Sequence, residues 1–150
     1  RRPHRLRAPS ARVAMDMILK ALSVPPGGRI AVPAYTADCI PAIIKSGGRT
    51  PVFVDIDIRD YNMSIESLEQ AAGEGIDAAI ITHMFGRMCR MDKIMPMSEK
   101  YGFIVIEDFS HAIGAGWKGK KAGSFGTAGF CTFSITKSFN TLGGGMAHRP

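Results

Sequence analysis

Four runs of branched and small apolar residues recur along the chain: "RIAV" near Arg29, "PVFVDI" from Pro51, "DAAIIT" from Asp77 and "GFIVIED" from Gly102. None alternates cleanly between apolar and polar positions. A strand that is apolar at nearly every position has both faces covered, which points to a parallel sheet packed between helices. Segments with helical spacing lie between these runs. Val13, Ala14, Met17, Ile18, Ala21 and Leu22 recur at three and four residues, with Ser10 in the N-cap position and "PPGG" closing the segment. Ala37 to Lys45, stopped by Gly47 and Gly48, predicts a second helix, and Ser64 to Ala72 a third. A fourth, around Ile94 to Tyr101, contains Pro96, which predicts a helix shortened or distorted near its start. Beyond Trp117 the pattern changes: "GWKGKKAGSFG" reads as a turn-rich hairpin and "AGFCTFSIT" as one more strand. The alternation predicts an α/β fold, a mainly parallel sheet with helices on both faces.

At 150 residues, 45% of them hydrophobic, the chain is long enough for one domain with a core. No apolar run approaches the roughly 20 residues that cross a bilayer, and no leader-like segment opens the chain, so the reading is of a soluble, cytoplasmic protein with no membrane partner. The formal charge of +6 is concentrated at one end: Arg1, Arg2, Arg5, Arg7 and Arg12 leave only about +1 for the remainder. So short a basic run without interleaved aromatics reads as a solvated arm and not as a nucleic-acid site. Cys39, Cys89 and Cys131 lack disulfide or metal spacing and read as small core residues. The methionines of "HMFGRMCRMDKIMPM" read as core filler, and no metal site is expected.

In open α/β sheets ligands bind beyond the carboxyl ends of the strands. Those ends carry Pro33 to Thr36, Asp55 and Asp57, His83, the "EDFSH" run from Glu107, and Ser134, Thr136 and Lys137. The helix starting after Ser10 adds the N–H groups of Ala11 and Arg12 as an anion site. Nucleotide loops fit poorly. The glycine fingerprint of dinucleotide binding is absent, and "GAGWKGKK" from Gly114 puts Lys121 where a phosphate loop needs Ser or Thr. Spacings for zinc or for a Ser-His-Asp triad are missing as well. His83 reads as a buried turn histidine. What remains is a carboxylate, Asp108, and an amine, Lys137, at two strand ends, with Ser134 three residues before the lysine. This set suits pyridoxal phosphate: an amine condenses with its aldehyde, a carboxylate keeps its ring nitrogen protonated, and hydroxyls with helix N–H groups hold its phosphate. Spacing alone leaves two plainer readings open, a turn aspartate and a solvated lysine.

At these residues the sequence resembles the sugar aminotransferases of the DegT/DnrJ/StrS type, within the aspartate-aminotransferase-like fold. The likeness runs in order through "SARVAMDMILKAL", "VPAYT", "PVFVDID", "THMFG", "EDFSHAIGA", "GSFG" and "FSITKSFNTLGGGM". It implies pyridoxal 5'-phosphate as cofactor, Lys137 as covalent anchor and proton carrier, and Asp108 as partner of the pyridine nitrogen. By the same resemblance His111 lies near the cofactor's oxygen or ring, while Ser134 with the backbone of Ala11 and Arg12 takes the phosphate. Ala37 stands where such proteins often carry a ring-stacking aromatic, leaving that face to Tyr35, His111 or nothing, and Thr127 stands where aspartate is common. The implied reaction moves an amino group from glutamate or glutamine to a keto sugar on a nucleotide, for polysaccharide or antibiotic sugars, in a homodimer. Lysine at 137, not histidine, argues for aminotransfer over dehydration. The expected organisation is a basic N-terminal arm at 1–9 and a partial cofactor-binding large domain at 10–150. A truncated chain without the C-terminal small domain is the expectation, since members are more than twice this long. The alternative is a non-catalytic remnant or regulatory binding domain on the same scaffold.

Overall fold

Strand β2 (Arg29–Pro33) shows how the sheet is covered: Ile30 and Val32 enter one apolar cluster and Ala31, between them, enters the other. The same division holds in β4 (Ala78–Thr82), where Ala78 and Ile80 face one way and Ala79 and Ile81 the other, and in β5 (Ile104–Asp108) between Ile106 and Val105. Successive side chains on a strand point to opposite faces. A strand covered on both sides must therefore be apolar throughout, as these runs are. The computed structural model describes residues 4–137 and 141–150.

Helices α1 (Ala11–Ala21) and α2 (Cys39–Ser46) cover the first face through Ala14, Met15, Ile18, Leu19, Ile40 and Ile44. Helices α3 (Ile65–Gly73) and α4 (Met91–Tyr101) cover the second through Leu68, Ala71, Ala72, Met91, Ile94 and Met97. With β1 (His4–Ala8), β3 (Thr50–Val54), β8 (Ala128–Thr132) and β9 (Gly145–Arg149), the sheet has seven strands in the order β1-β9-β8-β5-β4-β2-β3. The run from β3 to β8 is parallel; β9 is antiparallel to both β8 and β1. The segment from Trp117 forms the expected hairpin, β6 (Gly116–Trp117) against β7 (Lys120–Lys121), which leaves no phosphate-loop geometry there.

Ser10 and Ser64 cap α1 and α3 as their positions predict, each hydroxyl accepting a backbone N–H three residues on at 3.3 Å. Two expectations need correction. Helix α4 is not shortened at Pro96: it begins three residues before Ile94 and runs through the proline to a left-handed Gly102. Pro96 lies on the exposed face, so the Asp92 carbonyl that loses its partner is turned from the core. The arginine-rich arm is exposed but not loose. His4 to Ala8 pairs along β9, from His4 opposite Arg149 to Ala8 opposite Gly145, and Ala8 and Ala147 join the first cluster. Arg1 and Arg2 lie outside the described residues. Among the described residues no helix is long and apolar enough to cross a membrane.

Candidate active site

The helix α1 N-terminus opens on the carboxyl ends of the central strands, because Gly145, at the start of β9, packs against it without a side chain. A Cβ on Gly145 would sit 2.5 Å from both Ala11 N and Ser10 C, which are backbone atoms and cannot swing away. Gly145→Ala is expected to cost about 1–3 kcal/mol, read as a lower urea midpoint at unchanged slope. The Ser10 cap uses the N–H of Val13, so those of Ala11 and Arg12, which precede any intrahelical partner, remain to bind an anion.

One cavity of about 730 Å³ lies in front of this helix end, and it gathers all six of the sequence-derived candidates: Ala11, Arg12, Asp108, His111, Ser134 and Lys137. Ala37 and Tyr35 also line it. Asp108 ends β5, buried, and Ser110 donates to its Oδ1 twice, from the backbone N–H at 3.0 Å and from Oγ at 2.5 Å. Among the described residues no hydrogen bond reaches Oδ2. The Ser110 hydroxyl accepts in turn from the N–H of Thr132 at 3.1 Å, tying the acid to the strand that leads into the lysine loop. Ser110 was not among the candidates, although an Asp followed two residues later by Ser is a legible turn signal. Thr82, opposite Asp108 in the ladder, lines the cavity with a buried hydroxyl that has no partner among the described residues.

Lys137 is held by a turn in which its N–H donates to the Ser134 carbonyl at 3.0 Å. Its amine is hydrogen-bonded to Nε2 of His111. Ser138, Phe139 and Asn140, the middle of the lysine loop motif, lie outside the described residues. Partial burial, and then the Lys137 cation, hold His111 below its ordinary value against the pull of Asp108, so the ring is neutral and accepts from the amine. Burial pushes Asp108 above the ordinary carboxylate range, outweighing Ser110, His111 and Lys137. Its folded value exceeds its unfolded one, so in the cofactor-free chain its contribution is most favourable at acid pH and is lost as pH rises through the raised value. Asp108→Asn is therefore expected to stabilise the cofactor-free chain at pH 7–8, with the gain vanishing toward pH 4 in urea titrations.

Neighbouring Glu107 faces the other way and serves the scaffold. His83 is fully buried; its Nδ1 accepts the N–H of Cys89 at 3.2 Å, so Nε2 carries the proton and donates to Glu107 at 3.0 Å. His83 thus takes the turn role expected of it. Burial pushes the thiols of Cys89 and Cys131 up to about 12, so neither is a nucleophile at neutral pH.

Residues 2–148 match the DegT/DnrJ/EryC1/StrS aminotransferase family. The chain belongs to that family. It is 39% identical over 134 residues to the UDP-N-acetyl-3-dehydro-alpha-D-glucosamine 3-aminotransferase of Acidithiobacillus ferrooxidans, covering 89% of this chain and 36% of that protein. The structure of the aminotransferase from Psychrobacter cryohalolentis superposes with a TM-score of 0.92 at 30% identity, over 97% of this chain and 37% of that one. The GDP-4-keto-6-deoxy-D-mannose-3-dehydratase of E. coli, solved with bound hydrated pyridoxal phosphate, is also similar, with a TM-score of 0.89 at 27% identity over 96% and 39% of the two chains. The chain thus spans little more than a third of the length of these proteins.

Proposed function

We propose that this chain is the cofactor-binding part of a pyridoxal phosphate-dependent aminotransferase that moves an amino group from glutamate or glutamine to a keto sugar carried on a nucleotide. The observation that carries the reading is the convergence, on one cavity, of a buried carboxylate, a lysine amine and an open helix N-terminus. The residues fit the cofactor. Ala11 and Arg12 N–H groups with the Ser134 hydroxyl suit its phosphate, and the open Oδ2 of Asp108 suits a protonated ring nitrogen. The unpartnered Thr82 hydroxyl offers a further polar contact.

When bound, pyridoxal phosphate supplies an aldehyde carbon for the amine and a ring that withdraws electrons. Asp108, costly to ionise in its buried place, would be held as an anion by a protonated ring nitrogen beside it. Ser110 fixes the plane of that carboxylate, so Oδ2 is presented without rotation. Neutral His111 holds the Lys137 amine in line and accepts its proton's hydrogen bond, which positions Nζ to carry a proton to and from the substrate carbon. The homodimer that the resemblance implies would cover exposed apolar side chains, of which the chain has several, Phe53, Ile58, Ile135 and Leu142 among them.

The test is direct: cofactor added to the chain is expected to give a visible absorption band that borohydride fixes onto Lys137, located by peptide mass. A chain without the band, or one labelled on another lysine, overturns the reading and favours a scaffold that has lost its chemistry.

A further inference from the structure

Asp108 is the last residue of β5, and just beyond it the ladder to β8 changes character. The N–H of Phe109 still donates to the Phe130 carbonyl at 3.1 Å. In a regular parallel ladder the next bond would run from the N–H of Thr132 back to the Phe109 carbonyl. The chain turns instead, and that carbonyl accepts from the N–H of Ala112 at 3.0 Å. Thr132 gives its N–H to the Ser110 hydroxyl at 3.1 Å. A side-chain oxygen thus stands where the ladder would have used a main-chain one.

The exchange fixes the direction of the hydroxyl. Ser110 is buried, its oxygen accepts from Thr132, and its one proton goes to Oδ1 of Asp108 at 2.5 Å. A carbonyl in the same place could have received the Thr132 N–H but would have had nothing to give the acid. Oδ1 also accepts the Ser110 backbone N–H at 3.0 Å. Two donors occupy both lone pairs of that oxygen.

A proton carried by Asp108 is thereby left one place, Oδ2. Thr82, opposite Asp108 in the ladder with β4, does not compete for it, since its buried hydroxyl has no partner among the described residues. Burial raises Asp108, and the two bonds from Ser110 are the largest influences pulling it down, ahead of His111 and Lys137. The Ser110 hydroxyl therefore bears on how readily Oδ2 gives its proton up.

We propose that Ser110 is a positioning residue that confines the exchangeable proton of Asp108 to Oδ2 and, by its own donated bond, sets how that proton is shared with a ligand's ring nitrogen. The part concerning the ring rests on the cofactor reading above; the part concerning the acid rests on the chain's own bonds. The role goes beyond holding the carboxylate plane. A donor on Oδ1 favours the anion, so the proton stays on the ring nitrogen and is not recaptured by the acid. Without that donor a buried carboxyl competes for it.

Two NMR measurements test this. In the cofactor-free chain the Asp108 carboxyl carbon is titrated; in the loaded chain the signal of ring-labelled ¹⁵N pyridoxal phosphate is read at neutral pH. Ser110→Ala is expected to raise the Asp108 midpoint by about one pH unit, the worth of a hydrogen bond to a charged group. It is also expected to shift proton sharing about tenfold toward the neutral ring, seen in the nitrogen signal. Ser110→Thr, which keeps the hydroxyl, should restore both. Loss of the bond from Thr132 lowers the urea midpoint of Ser110→Ala too, but a purely structural role would leave both signals where they are. An Asp108 midpoint unchanged in Ser110→Ala, an unmoved nitrogen signal in that variant when loaded, or a folded Ser110→Thr that titrates like alanine overturns the inference. If the alanine variant does not fold, Ser110→Cys replaces it, the thiol being a weak donor; an upward shift of the midpoint supports the inference and none overturns it. A parent without the visible band and the Lys137 label removes the aminotransferase reading, while the carbon titration still decides what Ser110 does to Asp108.

Discussion

Replacing Lys137 with alanine is expected to reduce borohydride-dependent cofactor incorporation to background, while non-covalent retention of the cofactor persists. The two effects separate because the residues involved are separate. Only the Lys137 amine, among the described side chains lining the cavity, can condense with an aldehyde; the phosphate cradle at Ala11, Arg12 and Ser134 and the carboxylate of Asp108 are separate groups. Lys137→Arg sharpens the test. It restores a cation beside His111, but a guanidinium stays protonated and is no nucleophile. If charge alone mattered, arginine would rescue the visible band; the expectation is that it does not. In any longer chain that turns over, the loss of a positioned proton carrier alone costs on the order of 10²–10⁴ in rate, and loss of the covalent anchor adds to that. Equal borohydride labelling of parent and Lys137→Ala, measured by intact mass, would exclude Lys137 as the anchor. The companion substitution Asp108→Asn should leave the amine reactive but weaken cofactor retention, since the amide cannot pair as an anion with a protonated ring.

The elements legible in the sequence were those whose residues carry their own instructions. β2, β4 and β5 announce burial on both faces, Ser10 and Ser64 announce helix starts, and a lysine running into glycines announces a loop at a strand end. β1 and β9 carry no such mark. "HRLRA" interleaves one leucine with charge, and its status as a strand comes from a partner at the far end of the chain. Pro96 misleads for a related reason: a proline's effect depends on which helix face it occupies, and that face is set by packing against the sheet. The candidate site was readable as a set of residue types, but not its internal wiring. Nothing in "EDFSH" says that Glu107 belongs to the scaffold and Asp108 to the cavity, except that adjacent strand residues face opposite ways. Which of the two faces the cavity is settled only by the sheet's position between its helices. The contacts of the Tyr35, Tyr61, Phe85 and His111 rings, from 5.6 to 6.0 Å between centroids, are a product of topology, since the four residues follow β2, β3, β4 and β5 and the strand order brings them together.

Glu107→Ala is expected to destabilise the chain by on the order of 3–5 kcal/mol, the range for breaking a buried charged network. Both carboxylate oxygens are occupied. Oε1 accepts the N–H groups of Phe125 and Gly126, each at 2.7 Å, and Oε2 accepts from Gly123 N at 2.8 Å and from His83 Nε2 at 3.0 Å. Alanine leaves four donors in a dry interior with no acceptor, and each orphan costs about 1–3 kcal/mol before relaxation. Glutamine is nearly isosteric yet offers little relief at one end, because its NH₂ must face two donors where the carboxylate presented an acceptor. The pH dependence distinguishes this network from simple packing. Burial alone would raise Glu107, but the bonds from His83, Gly126 and Gly123 win and hold it below the ordinary carboxylate range. A depressed folded value means the stabilisation is present above the unfolded value and drains away as pH falls through the folded one. The parent's urea midpoint should therefore drop on the acid side, and Glu107→Gln should flatten that limb while lowering the plateau at pH 7. A loss in Glu107→Ala below about 1 kcal/mol, the level of a single ordinary hydrogen bond, would show the collar to be dispensable. Because the same carboxylate orients His83, whose other nitrogen accepts the N–H of Cys89, the segment from His83 to Cys89 should loosen in the variants that lose stability here.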